Sequence, residues 1–176
     1  MPTNLRGGDA ANNPVAIDTK LSLPYEGAKK VGAEIIFGYL NQMLEEGCQL
    51  SLVVEQFDET NESRGQLRFT QNLNDLEYEN SAGVFTLLDD NKKNSPLDSG
   101  NWGYMRLEVD FSKTPPAYIE AQLNDTVYTA VKDLAIRVAA DTTAKKTGLE
   151  LHLWNAATIV EGAEYFLRFF HLYRIL

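Results

Sequence analysis

Cysteine, histidine and paired carboxylates do most nucleophilic and acid–base chemistry. This chain holds one cysteine, two histidines and 25 acidic residues. A thiol enzyme needs a thiolate, which a neighbouring imidazole can generate. Cys48 with His152 or His171 as its base is thus the one arrangement that would make the chain a small hydrolase or deamidase. The surroundings of Cys48 argue for packing instead. It follows Gly47 at the end of an expected helix, where the dipole is negative and disfavours a thiolate. It also opens an apolar run in which Leu50, Leu52 and Val54 share its face, the setting of a small buried hydrophobe.

His152 alternates with Leu149, Leu151 and Leu153, and His171 lies in an aromatic run. Their separation matches no metal-ligand spacing, HExxH is absent, and one cysteine makes no cysteine-based zinc centre. No metal or cofactor is expected. Carboxylate pairs suited to hydrolysis are bound to occur among so many acids and single out nothing. Neither a glycine-rich phosphate loop nor a serine nucleophile elbow is present. No residue is therefore assigned a catalytic role, and the pattern favours a binding or assembly protein over an enzyme.

Charge is more informative. The net charge is −9, and residues 1–44 and 91–176 are each balanced. The whole imbalance lies in residues 45–90, where Arg64 and Arg68 are the only bases. A concentrated negative field attracts basic partners and repels nucleic acid. Glu55, Asp58, Glu59, Glu62, Glu77, Glu79, Asp89 and Asp90 are the expected binding residues of an acidic face. That face would meet a basic protein or other copies of the chain, as in an inhibitor or immunity-type protein, a chaperone, or a viral or phage component. The competing interpretation is a solvated face that only confers solubility. The segment 58–62 lacks the alternating Asp/Asn and central glycine of a calcium loop. Trp102 joins the binding candidates, because it stands in a long run of turn formers, 91–103, and tryptophan is enriched at interface hot spots.

The elements that must position these residues read as α+β. Residues 1–13 are expected to form an irregular arm and 14–176 a single domain. No secretory signal or apolar run long enough to span a bilayer is visible, and the lone cysteine suits a reducing, cytoplasmic setting. Period-two alternation predicts strands over 15–23, 48–57, 66–71, 83–88 (with a start near Leu76 as the alternative bound), 105–111, 119–123 and 149–154. Residues 59–65 read as a turn. A helix is predicted from Pro24 to Gly47, with Val31, Ile35, Ile36, Tyr39, Leu40, Met43 and Leu44 at helical spacing. A second is predicted from Asp125, with Val127, Val131, Leu134, Ala135 and Val138 on one face. Residues 156–176 fit either period, and their aromatic content favours a final strand after a helical turn near 159–163. The expected architecture is a mostly antiparallel sheet of about five to seven strands with two helices packed on one face.

Overall fold

Alternation of period two runs through far more of this chain than the helical stripes suggest, and it decides the architecture. The computed structural model describes residues 3–6, 17–23, 28–40, 49–70, 75–89, 102–154 and 164–175. Among them the strands are β1 (Thr3–Arg6), β2 (Ile17–Leu23), β3 (Lys30–Leu40), β4 (Gln49–Phe57), β5 (Asn61–Thr70), β6 (Asp75–Glu79) and β7 (Phe85–Asp89). They continue with β8 (Trp102–Asp110), β9 (Ala117–Leu123), β10 (Thr126–Tyr128), β11 (Arg137–Ala140), β12 (Lys146–Trp154) and β13 (Glu164–Arg174). A single 3-10 turn, Thr129–Val131, is the one helical element described. No described helix is long and apolar enough to cross a membrane.

The strands form two antiparallel sheets. The first has the order β1-β13-β3-β8-β9-β10. The second has the order β2-β12-β4-β5-β6-β7, with β11 on the same edge of β5 as β6. The two strands nearest the N-terminus pair with the two nearest the C-terminus, β1 with β13 and β2 with β12. Sheet-on-sheet packing buries one face of each strand and leaves the other outward. Val31, Ala33, Ile35 and Phe37 of β3 and Met105, Leu107 and Val109 of β8 supply one inner face. Leu50, Leu52 and Val54 of β4, Leu67 and Phe69 of β5, and Leu149 and Leu151 of β12 supply the other. Phe37 and Phe69 meet across the gap with ring centroids 6.2 Å apart. Tyr118 of β9 is fully buried. Its hydroxyl donates to the Glu79 carbonyl (2.6 Å) and accepts from the Gln66 amide (3.1 Å), tying the first sheet to the second.

The two expected helices do not form, and the α+β class is corrected to a β-sandwich. The segment 24–47 contains β3 instead. Its helical stripe was real, but so was the alternation of Val31, Ala33, Ile35 and Phe37 against Gly32, Glu34, Ile36 and Gly38. The strand reading satisfies both neighbours, β13 and β8. Gly32 and Gly38, each costing about 1 kcal/mol in a helix, belong to the strand. The second expected helix is β10, the 3-10 turn and β11. Asp133, at φ 67°, breaks any helical path. Its stripe meets no continuous core, since Val127, Leu134 and Val138 are all exposed.

The turn expected at 59–65 shrinks to the tip between β4 and β5, and the strand expected at 83–88 is a hairpin of β6 and β7. Trp102 is not in a loop but opens β8. Within the residues 1–13 expected to be irregular, Thr3–Arg6 is β1. The final segment resolves as a strand, β13, while the helical turn expected near 159–163 lies outside the described residues.

Candidate functional site

The outward face of the first sheet carries the densest group of chemically capable side chains. Because Gly103, Met105, Leu107 and Val109 of β8 are buried, Trp102, Tyr104, Arg106 and Glu108 point outward. Register places their neighbours. Glu34 of β3 stands beside Arg106, with His171 of β13 on one side and Gln122 of β9 on the other. One row along, Gly32 stands beside Glu108, flanked by Tyr173 and Glu120. The face therefore reads in two rows across four strands: His171, Glu34, Arg106, Gln122, and Tyr173, Gly32, Glu108, Glu120.

Hydrogen bonds and ion pairs gather these side chains into two adjoining clusters, one on Glu34 and one on Glu108 and Glu120. The Tyr104 hydroxyl donates to Glu34 Oε2 at 2.7 Å, and His171 Nδ1 lies 3.2 Å from Glu34 Oε1. The Tyr173 hydroxyl donates to Glu108 Oε1 at 2.7 Å. Arg106 bonds Glu120 through Nη2, and its Nη1 lies 4.0 Å from Glu108. Gln122 Nε2 donates to the Asn124 carbonyl at 2.6 Å.

Gly32 makes this possible. Tyr173 reaches from β13 across β3 to β8, and its ring fills the space that a Cβ on Gly32 would need, 2.3 Å from Cζ. Burial, then the bond to Glu34, pushes the Tyr104 phenol up to about 12. Burial and the bond to Glu108 raise Tyr173 as well. Both phenols thus stay protonated and act as fixed donors to their carboxylates. The rings of His171 and Tyr173 lie 5.5 Å apart, and Trp102 at the end of the face is 46% exposed. Aromatic surface and hydrogen-bonding groups stand together on a rigid sheet.

Of the residues singled out from sequence, the structure brings Trp102 and His171 onto this face. His152 is elsewhere, on the outward side of the second sheet, 2.8 Å from Glu150. The two histidines therefore face away from each other on opposite sides of the sandwich and share no site. Cys48 lies outside the described residues.

The acidic segment forms an antiparallel meander, β4-β5-β6-β7. Its carboxylates are spread through it. Glu55 and Glu79 are buried, at 3% and 5% exposure, and so present no charge to a partner. Glu55 lies over Gly148, where a Cβ would come 2.6 Å from its Oε1. Cations supplied by β5 itself and from later in the chain reach several of these acids. Glu77 pairs with Arg68 (2.7 Å), Glu79 lies 3.4 Å from Arg64, Glu62 lies 3.9 Å from Arg137, and Glu59 lies 3.7 Å from Lys145. Asp89 accepts the Tyr128 hydroxyl at 2.8 Å. Asp58 and Glu59 are exposed at the β4–β5 tip, where bonds from the Thr60 hydroxyl and the Thr60 and Asn61 amides lower Asp58 to about 2. Asp90 lies outside the described residues.

Burial raises the Glu79 carboxyl above its ordinary value despite Arg64 and Arg137. The folded state then holds this proton when the unfolded chain has released it, so stability falls as pH rises through the window above 4.5. Glu79→Gln should flatten that fall, as measured by the thermal midpoint of wild type and variant across a pH series. An unchanged slope would mean that Glu79 does not titrate in this window.

Glu34, Tyr104, Arg106 and Glu108 carry no motif and are not singled out by the sequence, and Tyr173 stands out only as part of the aromatic C-terminal run. The alternation of β8 did mark Arg106 and Glu108 as its polar side. Nothing local placed Glu34 and Tyr173 beside them.

No protein-family model matches the chain, and no curated protein matches it in sequence. Solved structures do resemble it in fold. The carbohydrate recognition domain of Emp47p superposes with a TM-score of 0.55 at 12% identity, over 94% of this chain and 81% of that one. The potassium-bound carbohydrate recognition domain of Emp46p gives a TM-score of 0.48 at 14% identity, over 89% and 77%. A β-glucanase described as putative, from Mycobacterium abscessus, gives 0.43 at 13% identity, over 92% and 76%. At 12% identity the first of these shows a shared two-sheet β-sandwich fold.

Proposed function

We propose that this domain binds a glycan on the outward face of its first sheet. One observation carries the reading: aromatic rings and hydrogen-bonding carboxylates occupy the same rigid, half-exposed face, in two ordered rows. A sugar offers that combination in complement, with apolar C–H faces to lie on rings and hydroxyls to donate to carboxylates. The likeness in fold to the Emp47p carbohydrate recognition domain is consistent with it.

Binding is favoured over cleavage because each central carboxylate is already held by a tyrosine hydroxyl, Glu34 by Tyr104 and Glu108 by Tyr173. Such fixed acceptors orient a ligand well. A general acid–base pair would instead need one carboxyl free to exchange its proton with substrate.

The test is titration of the protein against a panel of oligosaccharides, followed by Trp102→Ala. Trp102 is exposed, so its loss should leave the fold intact and weaken binding by about tenfold, the effect of roughly 1.4 kcal/mol. Absence of binding to every oligosaccharide would overturn the reading. Release of new reducing ends from a bound ligand would replace it with an enzymatic one.

A further inference from the structure

The polarity of the face says which kind of glycan it would take, an inference that rests on the reading just given. Its two rows contain three carboxylates, Glu34, Glu108 and Glu120, one guanidinium, Arg106, and one imidazole, His171. The adjoining row pairs Lys30 with Asp110 and is balanced. Donors of the face are turned inward on its own acceptors: Tyr104 and His171 on Glu34, Tyr173 on Glu108, Arg106 on Glu120, and Gln122 on the Asn124 carbonyl. An ionised carboxylate has about four acceptor sites, and the bonds just named engage at most two of them on each of these three. What the face turns toward a ligand is therefore chiefly lone pairs and a net negative charge, beside the rings of Tyr104, Tyr173 and Trp102.

The geometry points to a cationic glycan, an oligosaccharide of hexosamine units with free ammonium groups. An ammonium brings three donors and a positive charge to an acceptor-rich site. It is also attracted to the faces of tyrosine and tryptophan rings by their quadrupole. N-acetylation removes the charge and two of the donors. A uronic acid places like charge against Glu34 and Glu108, which disfavours it directly.

The experiment titrates the full chain with glucosamine oligomers, their N-acetylated counterparts, glucose oligomers and uronic acid oligomers of equal length. It is run at a pH where the amines are protonated and at two salt concentrations. Glucosamine oligomers should bind at least tenfold more tightly than the N-acetylated ones, and the preference should shrink as salt rises. The double variant Glu34→Gln, Glu108→Gln keeps the side-chain shapes and should lower glucosamine binding at least tenfold. If that variant fails to fold, the comparison of amine with N-acetyl ligand on the wild type decides alone. Equal or tighter binding of the N-acetylated, neutral or acidic oligomers overturns the charge inference and leaves the glycan reading in place. Binding of none of the four overturns both.

Discussion

Gly65→Val should cost about 3 kcal/mol of stability, the upper end of what over-packing of a filled core costs and a large share of a margin of 5–15 kcal/mol. Gly65 lies on the inner face of β5, where the two sheets come close. A Cβ there would stand 2.7 Å from Val109 Cγ2 and 3.2 Å from Tyr118 Cε1. Neither neighbour can yield cheaply. Val109 is β-branched, fully buried and stiff about χ1. Tyr118 is pinned at its far end by the Glu79 carbonyl and the Gln66 amide. Valine does favour strands, by up to about 1 kcal/mol, but that gain is smaller than the collision and opposite in sign. Chemical denaturation of wild type, Gly65→Ala and Gly65→Val should show stability falling in that order with an unchanged m-value. A Gly65→Val protein as stable as wild type would mean that the sheets separate more easily than their packing implies.

Gly32→Ala should have the contrasting outcome, with a largely preserved fold and ligand binding weakened by at least tenfold. Its Cβ would lie 2.3–2.5 Å from three atoms at the outer end of the Tyr173 side chain. A side chain at the sheet surface can swing away where Val109 cannot. The swing breaks the Tyr173–Glu108 bond and removes one ring from the face, so the damage falls on the site and not on the core. Circular dichroism and the thermal midpoint report the fold. Titration with the best oligosaccharide of the panel reports the site. Tyr173→Phe separates the two consequences, because it keeps the ring over Gly32 and removes only the hydroxyl. Wild-type affinity in Gly32→Ala would show that Tyr173 takes no part in binding.

Local pattern made several strands legible, namely β2, β4, β8, β9 and β12, because a strand with one buried face writes its own alternation. It also marked strands in the acidic segment, over 48–57, 66–71 and 83–88. It failed at β3 and around β10, where apolar residues satisfied the helical and the strand period together. Period alone does not arbitrate such cases. At β3 the choice belongs to partners distant in sequence. β13 contributes Tyr173 over Gly32, and β8 contributes a complete ladder from Lys30 to Gly38. The acidic segment shows the same limit in electrostatics. Its charge imbalance is a true property of the sequence, yet Arg137 and Lys145 come from later in the chain to stand beside Glu62 and Glu59.

The candidate site marks the division most sharply. Sequence by itself determined that Arg106 and Glu108 would share the polar side of a strand, since alternate residues on a pleated strand face the same way. It also determined that Cys48 and the two histidines match no recognisable metal motif. Only the tertiary structure decided that Glu34, Tyr104, Arg106, Glu108, His171 and Tyr173 meet on one face. These residues come from three strands separated in sequence by most of the chain. Their meeting depends on β13 pairing beside β3 and on the register of both neighbours. Register is set by which face of every strand must be buried at once, a condition that no single segment of this sequence contains.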